Sequence, residues 1–171
     1  QYFRYYNLKN AEAITYGGQF SIRWIENKMN VYLNKVLKTK GEDYVIASDT
    51  DSIYLNMGPL VETVYKGREK TDQSVVGFLN KVSEMELEPY IQSSYEELAE
   101  YVSAYDQKMI MKRENIASSG IWTAKKRYML NVWDSEGVRY NKPKLKMMGI
   151  EAVKSSTPAP CRTAIKDAIN I

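Results

Sequence analysis

Tyr44-Val45-Ile46-Ala47-Ser48-Asp49-Thr50-Asp51-Ser52-Ile53-Tyr54-Leu55-Asn56-Met57 is the stretch on which the fold turns. Tyr44 to Ala47 is a short apolar run suited to a buried strand. Ile53, Leu55 and Met57 alternate with Tyr54 and Asn56 as a second strand. Together they predict a hairpin, yet the connection lacks the Asn-Gly or Asp-Gly pair that a tight hairpin turn prefers. Local rules are broken most often where function demands it. Two carboxylates two residues apart in extended chain project from one face, because strand side chains alternate. They repel each other unless a cation sits between them, which makes Asp49 and Asp51 a candidate site for a divalent metal. The structural alternative is an Asx-type turn in which Asp49 bonds its own backbone, and four residues are too few to separate the two.

Helices are predicted on both sides of this segment. Asn7 is placed to cap a helix starting at Leu8, its side chain accepting from first-turn amides. Ile22, Ile25, Met29, Leu33 and Val36 recur at three- and four-residue spacing, so one apolar stripe extends to about Lys38. Gly17-Gly18 is a candidate kink. A polar loop from Arg68 to Thr71 precedes a second helical pattern, Val75, Phe78, Leu79 and Val82. That pattern continues into the acidic stretch Glu84 to Glu88, where Pro89 is expected to interrupt it.

The charges are segregated. From Lys108 to Lys146 there are ten Lys or Arg against three acids, a surplus of seven, while the whole chain carries only +3 and the remainder is therefore −4. Such a stretch suits a nucleic-acid face, and equally a solvated strand surface rich in lysine. Met109, Met111 and Arg113 alternate with Ile110, Lys112 and Glu114 ahead of the loop Ser118-Ser119-Gly120. This predicts a strand that brings Glu114 near the hairpin acids. The alternative for Glu114 is a surface ion pair with Arg113 or Lys112. A further strand from Ile121 to Trp133 would place Lys126, Tyr128, Leu130 and Val132 on one face and Lys125, Arg127 and Met129 on the other. Its basic side chains suit duplex phosphates, and an edge strand guarded by lysine is the competing reading. Asp134-Ser135-Glu136-Gly137 reads as a turn. Thr157-Pro158 reads as an N-cap with proline at the first helical position, followed by the helical face Ala164, Ile165, Ala168 and Ile169.

Composition excludes several chemistries. The chain has no histidine, so it cannot build a Ser-His-Asp triad, an imidazole base or a histidine-bound zinc site, and a metal must sit on oxygen. The single cysteine, Cys161, allows no internal disulfide and is expected to be structural. No apolar run approaches the length of a membrane span and the first residues lack a signal-peptide layout, so a soluble, intracellular chain of one domain is expected.

Four blocks carry a resemblance. Asp49-Thr50-Asp51-Ser52 between two apolar strands matches motif C of family B DNA polymerases, usually Tyr-Gly-Asp-Thr-Asp-Ser, with Ala47-Ser48 replacing Tyr-Gly. Phe3-Arg4-Tyr5-Tyr6-Asn7-Leu8-Lys9-Asn10-Ala11-Glu12-Ala13-Ile14-Thr15 looks like the stretch after motif B. Trp122-Thr123-Ala124-Lys125-Lys126-Arg127-Tyr128 resembles the Lys-Lys-Arg-Tyr motif. Lys154-Ser155-Ser156-Thr157-Pro158 resembles the phage-type segment leading into the thumb. The chain thus resembles the catalytic palm of a family B DNA polymerase from the branch carried by T-even-like bacteriophages. The likeness is weakest from about Pro59 to Asp106.

The resemblance implies an α+β palm, a small antiparallel sheet backed by long helices. Residues 1–153 would belong to the palm and 154–171 to the start of a thumb helix. It implies template-directed nucleotide addition with two magnesium ions, the primer 3′-hydroxyl attacking the α-phosphate of a deoxynucleoside triphosphate. Asp51 is then the ligand bridging both ions, Asp49 shapes the turn or assists, and Glu114 is an outer or occasional ligand. Lys125, Lys126, Arg127, Tyr128, Lys154, Ser155 and Thr157 are the implied DNA contacts. Implied partners are primer-template DNA, deoxynucleoside triphosphates, the remainder of the polymerase and a sliding clamp bound through the full-length protein, with no membrane. The expected location is the cytoplasm of an infected bacterium. Motifs A and B of the family precede the position of Gln1, so a fragment inactive by itself is expected. A non-catalytic DNA-binding module and one half of a split polymerase are the alternatives.

Overall fold

The computed structural model describes residues 7–169; Phe3 to Tyr6 of the block after motif B lie outside them. The architecture is α+β. Helix α1 spans Leu8–Leu37, and strands β1 (Val45–Asp49) and β2 (Ser52–Leu55) follow. Next come α2 (Gly58–Val64), α3 (Asp72–Val82) and α4 (Glu88–Tyr101). Strands β3 (Asn115–Ala124), β4 (Arg127–Ser135) and β5 (Val138–Met148) precede the last helix, α5 (Ala159–Ile169). Two compact units result. One contains the chain up to Val75 together with Lys81–Lys112, the other Val76–Asn80 together with the chain from Arg113 onward. The sheets are likewise two rather than the one small sheet expected, β1-β2 and β3-β4-β5, all antiparallel.

In the first unit, α1 begins as its sequence predicts. Asn7 is extended, and its side chain accepts from the Asn10 amide. The helix runs unbroken past Gly17-Gly18, and Lys38 ends it in the left-handed conformation with φ 56°. Ile25, Met29 and Leu33 of the predicted stripe are buried, whereas Val36 is exposed. Ile25 and Met29 pack with Leu87, Ile91, Tyr95 and Leu98, and Ile53, Leu55 and Met57 close over that cluster. Burying each such aliphatic side chain stabilises by roughly 1.5–3 kcal/mol. Polar ties fix the pairing of α1 with α4: the Trp24 indole donates to the Ser94 carbonyl, and Lys28 bonds Glu97 at 2.6 Å.

Pro89 does not interrupt the second helical pattern. One turn of π-helix, Ser83–Leu87, connects α3 to α4, and Pro89 sits in the first turn of α4. Proline lacks an N–H and crowds the carbonyl of the preceding turn, so a locally widened helix accommodates it without ending.

The second unit departs further from expectation. Residues 109–114 form no strand; β3 begins at Asn115 and runs through Ser118-Ser119-Gly120, which is therefore not a loop. Gly120 is needed inside the strand, because a Cβ there would lie 2.7 Å from both Leu130 and Trp122. The single strand expected from Ile121 to Trp133 is instead a hairpin, turning at Lys125-Lys126 with Ala124 opposite Arg127. On β4 burial alternates strictly, with Tyr128, Leu130, Val132 and Asp134 buried. The predicted turn after Asp134 is present: Glu136 and Gly137 have φ of 51° and 86°, suiting a tight two-residue hairpin connection. Helix α5 starts slightly later than the Thr157-Pro158 signal, its first turn closing from the Arg162 amide to the Pro158 carbonyl. Cys161 is exposed on that helix instead of packed in a core.

Candidate functional site

The hairpin that carries Asp49 and Asp51 is anchored at its base to α1. Asn30 accepts from the Tyr44 amide at 2.8 Å and donates to Asp43 at 2.8 Å. One turn later Asn34 donates to the Glu42 carbonyl and accepts from the Glu42 amide and the Thr39 hydroxyl. The buried Tyr44 exchanges a 2.8 Å hydrogen bond with the Thr39 hydroxyl, and its carbonyl accepts from Asn56. With Ile53 and Leu55 seated on the helical core, the hairpin base is held on both edges and the tip projects from a rigid support.

At the tip Asp49 pairs with Ser52. The Asp51 amide donates to the Asp49 carbonyl, so the turn closes through the backbone. The Ser52 hydroxyl adds a bond to the same carbonyl, and the Thr50 hydroxyl donates to the Asp49 carboxylate at 3.0 Å. Thr50 takes φ 45°. A β-branched residue in the left-handed region is strained by about 1–3 kcal/mol, and such strain persists only where surrounding structure over-determines it. Asp51 and Thr50 are exposed while Asp49 is half-buried.

Glu114 belongs to the second unit. Its carboxylate takes a bond from Lys146 on β5 at 2.5 Å, so the ion pair expected with Arg113 or Lys112 is made with Lys146 instead. That bond is the main reason the Glu114 carboxyl lies below its ordinary range, a smaller effect of burial opposing it. The Glu114 carbonyl accepts from the Glu136 amide at 2.6 Å. Arg113 turns the other way. It bonds Asp134, which is only 2% exposed, and Asn80 at 2.6 Å, while Arg139 approaches Asp134 at 3.7 Å. Among the described residues no three acid or thiol side chains gather into a group able to hold a metal ion.

The Lys-Lys-Arg-Tyr block divides by role. Lys125 and Lys126 are exposed at the β3–β4 turn, with Lys126 at φ 60°. Arg127 bonds both carboxylate oxygens of Glu151, joining β4 to the short 3-10 turn Glu151–Val153 that leads to α5. Glu151 lies below the ordinary carboxylate range through a bond to its own backbone, aided by Lys154 and Arg127. Tyr128 faces inward, 6% exposed, its ring centroid 6.4 Å from that of Trp122. Lys154 and Ser155 are exposed and Thr157 is half-buried, with Lys154 3.2 Å from Glu151. Sequence reasoning missed Asn30 and Asn34, which position the hairpin, and the buried Asp134. None has a local signature, since each acts on residues brought to it by folding. Among the described residues no helix is long and apolar enough to cross a membrane.

No family model matches the chain. Curated proteins do. The chain is 45% identical to the DNA-directed DNA polymerase of Escherichia phage RB69 and 43% identical to that of Enterobacteria phage T4. Each alignment covers 98% of this chain and 20% of the phage protein, so the chain spans a fifth of the length of these relatives. At this identity along almost all of its residues, the chain belongs to the family of T4-like phage DNA-directed DNA polymerases, as a segment of one.

Proposed function

We propose that this segment is part of the palm of a family B DNA polymerase, with residues 1–153 in the palm and 154–171 opening the thumb. Its β1–β2 hairpin presents the acids of nucleotidyl transfer. What carries the reading is a strained, exposed tip bearing Asp49 and Asp51 on a rigidly anchored hairpin, in a chain 45% identical to a phage DNA polymerase. The donor set fits the ion such chemistry needs. The tip offers carboxylate oxygen and no nitrogen or sulfur, and magnesium binds through one or two carboxylates plus substrate phosphates. When bound, magnesium stabilises the attacking and leaving oxygens of the phosphoryl displacement.

The chain's own residues then have separate tasks. Asp51 presents an exposed carboxylate as the principal ligand. Asp49 holds the turn through its carbonyl and adds a second carboxylate. Lys125 and Lys126 at the β3–β4 turn, with Lys154, Ser155 and Thr157 near α5, hold primer-template phosphates; Arg127 and Tyr128 support that turn from below. The substrates are deoxynucleoside triphosphates, a sliding clamp is a partner of the whole polymerase, and the setting is the cytoplasm of an infected bacterium. Catalysis is assigned to the whole polymerase, of whose length this chain spans a fifth.

The test is a chimera in which this sequence replaces the aligned segment of the RB69 polymerase, assayed by primer extension with magnesium. The chimera should extend primers, Asp51→Asn should lower the chemical step by several orders of magnitude, and Asp49→Asn should cost less. The isolated chain should extend none. Small, equal losses for the two substitutions would overturn the metal role of the hairpin.

A further inference from the structure

The structure sorts the cations of the basic segment into two groups. Arg113 and Arg139 serve Asp134, Arg127 serves Glu151, Lys146 serves Glu114 and Lys108 lies 3.6 Å from Asp106. Lys142 and Lys144 have no acidic partner among the described residues, and both are exposed. They stand on β5, the edge strand of its sheet, whose eleven residues include four cations and no acid. Lys144 lies 4.1 Å over the ring of Tyr140, a contact that orders the side chain and leaves the outer side of the ammonium open.

Lys144 stands opposite Val132, and Lys142 lies in the stretch between Arg139 and Lys144 where β5 bulges away from its register with β4, so both side chains leave the sheet at an irregular, exposed edge where long cations can reach phosphates. The edge of β5 also turns backbone N–H groups outward, and these donate to phosphate oxygens as well as side chains do. The far end of β5 closes against the Lys125-Lys126 turn, because Met148 pairs with Tyr128 and Gly149 lies against the Lys126 carbonyl. Lys142 and Lys144 therefore share a sheet with that turn, with Lys146, paired to Glu114, standing between them and the end of β5.

We propose that Lys142 and Lys144 are DNA phosphate contacts, additional to those of the β3–β4 turn and made without reading sequence. This rests on the reading of the segment as DNA-binding. The rival role is that of edge guards, for which Lys and Pro143 are equally suited.

The experiment is a salt titration of the full 171-residue chain binding a fluorescent duplex primer-template. The chain should bind at low salt. Lys142→Ala and Lys144→Ala should each reduce the slope of log affinity against log salt by about one unit, and the double variant by about two, for any DNA sequence. Lys125→Ala is the arm that separates the two readings. If it lowers the slope while Lys142→Ala and Lys144→Ala leave it unchanged, the β5 contacts are refuted and the DNA-binding reading stands. Self-association of those two variants at an unchanged slope would identify edge guards. No binding by the parent chain at low salt would overturn both readings.

Discussion

Gly149→Ala tests how the β3–β4 turn is held. Gly149 takes φ 65°, and a Cβ at this position would fall on the Lys126 carbonyl oxygen, with the Arg127 Cγ at 3.1 Å. The substitution has two costs. An L-residue in the left-handed region loses about 1–2 kcal/mol. Forcing apart two packed backbone segments adds about 1–3 kcal/mol, because a carbonyl cannot swing aside as a flexible side chain does. The sum is roughly 2–5 kcal/mol. Gly137→Ala supplies the control: Gly137 has φ 86° but no atom within 4 Å of its Cβ position, so it should lose only the conformational part. Gly149→Asn sharpens the comparison, since asparagine tolerates the left-handed region yet carries the offending Cβ. Urea unfolding of the three variants, followed by circular dichroism, measures the differences. If Gly149→Ala proves no worse than Gly137→Ala, or Gly149→Asn behaves like the parent chain, the close approach at Lys126 is wrong.

Asp134→Ala should destabilise by about 3–5 kcal/mol, because it leaves the nearly buried Arg113 without its carboxylate; a loss below 1 kcal/mol in the same unfolding assay would contradict the burial of that pair. Glu114, with its carboxyl depressed by Lys146, contributes stability that is fully present above its ordinary value of 4.5 and is lost as pH falls through the lowered folded value. Half-exposure limits this to under about 1 kcal/mol. Lys146→Met should flatten that acid-side slope, and an unchanged pH profile of stability would show that the pair contributes nothing.

Much of the first unit was legible in the sequence because its signals are local. The cap at Asn7, the stripe Ile25, Met29 and Leu33 and the alternation of Ile53 and Leu55 follow from helix and strand periods, and each is seen in the structure. The acids of the hairpin were found the same way, as a break in turn chemistry. The second unit was read poorly where reversal of the chain depends on partners far along the sequence. Lys125-Lys126 lacks a Gly or Asn signal, and an alternating run from Ile121 to Trp133 looks continuous. The turn forms there because Trp122 pairs with Tyr128, Met148 with Tyr128 on the other side, and Gly149 leaves room for the Lys126 carbonyl. Asp134 looked like a turn residue and is one, but its burial depends on Arg113, 21 positions away, and on Arg139 across the hairpin. The local pattern of side chains thus determined which segments become helix or strand and where the acids lie. Strand register, the burial of Asp134 and the pairing of Arg113, Arg127, Arg139 and Lys146 with acids were decided only when distant residues came within bonding reach.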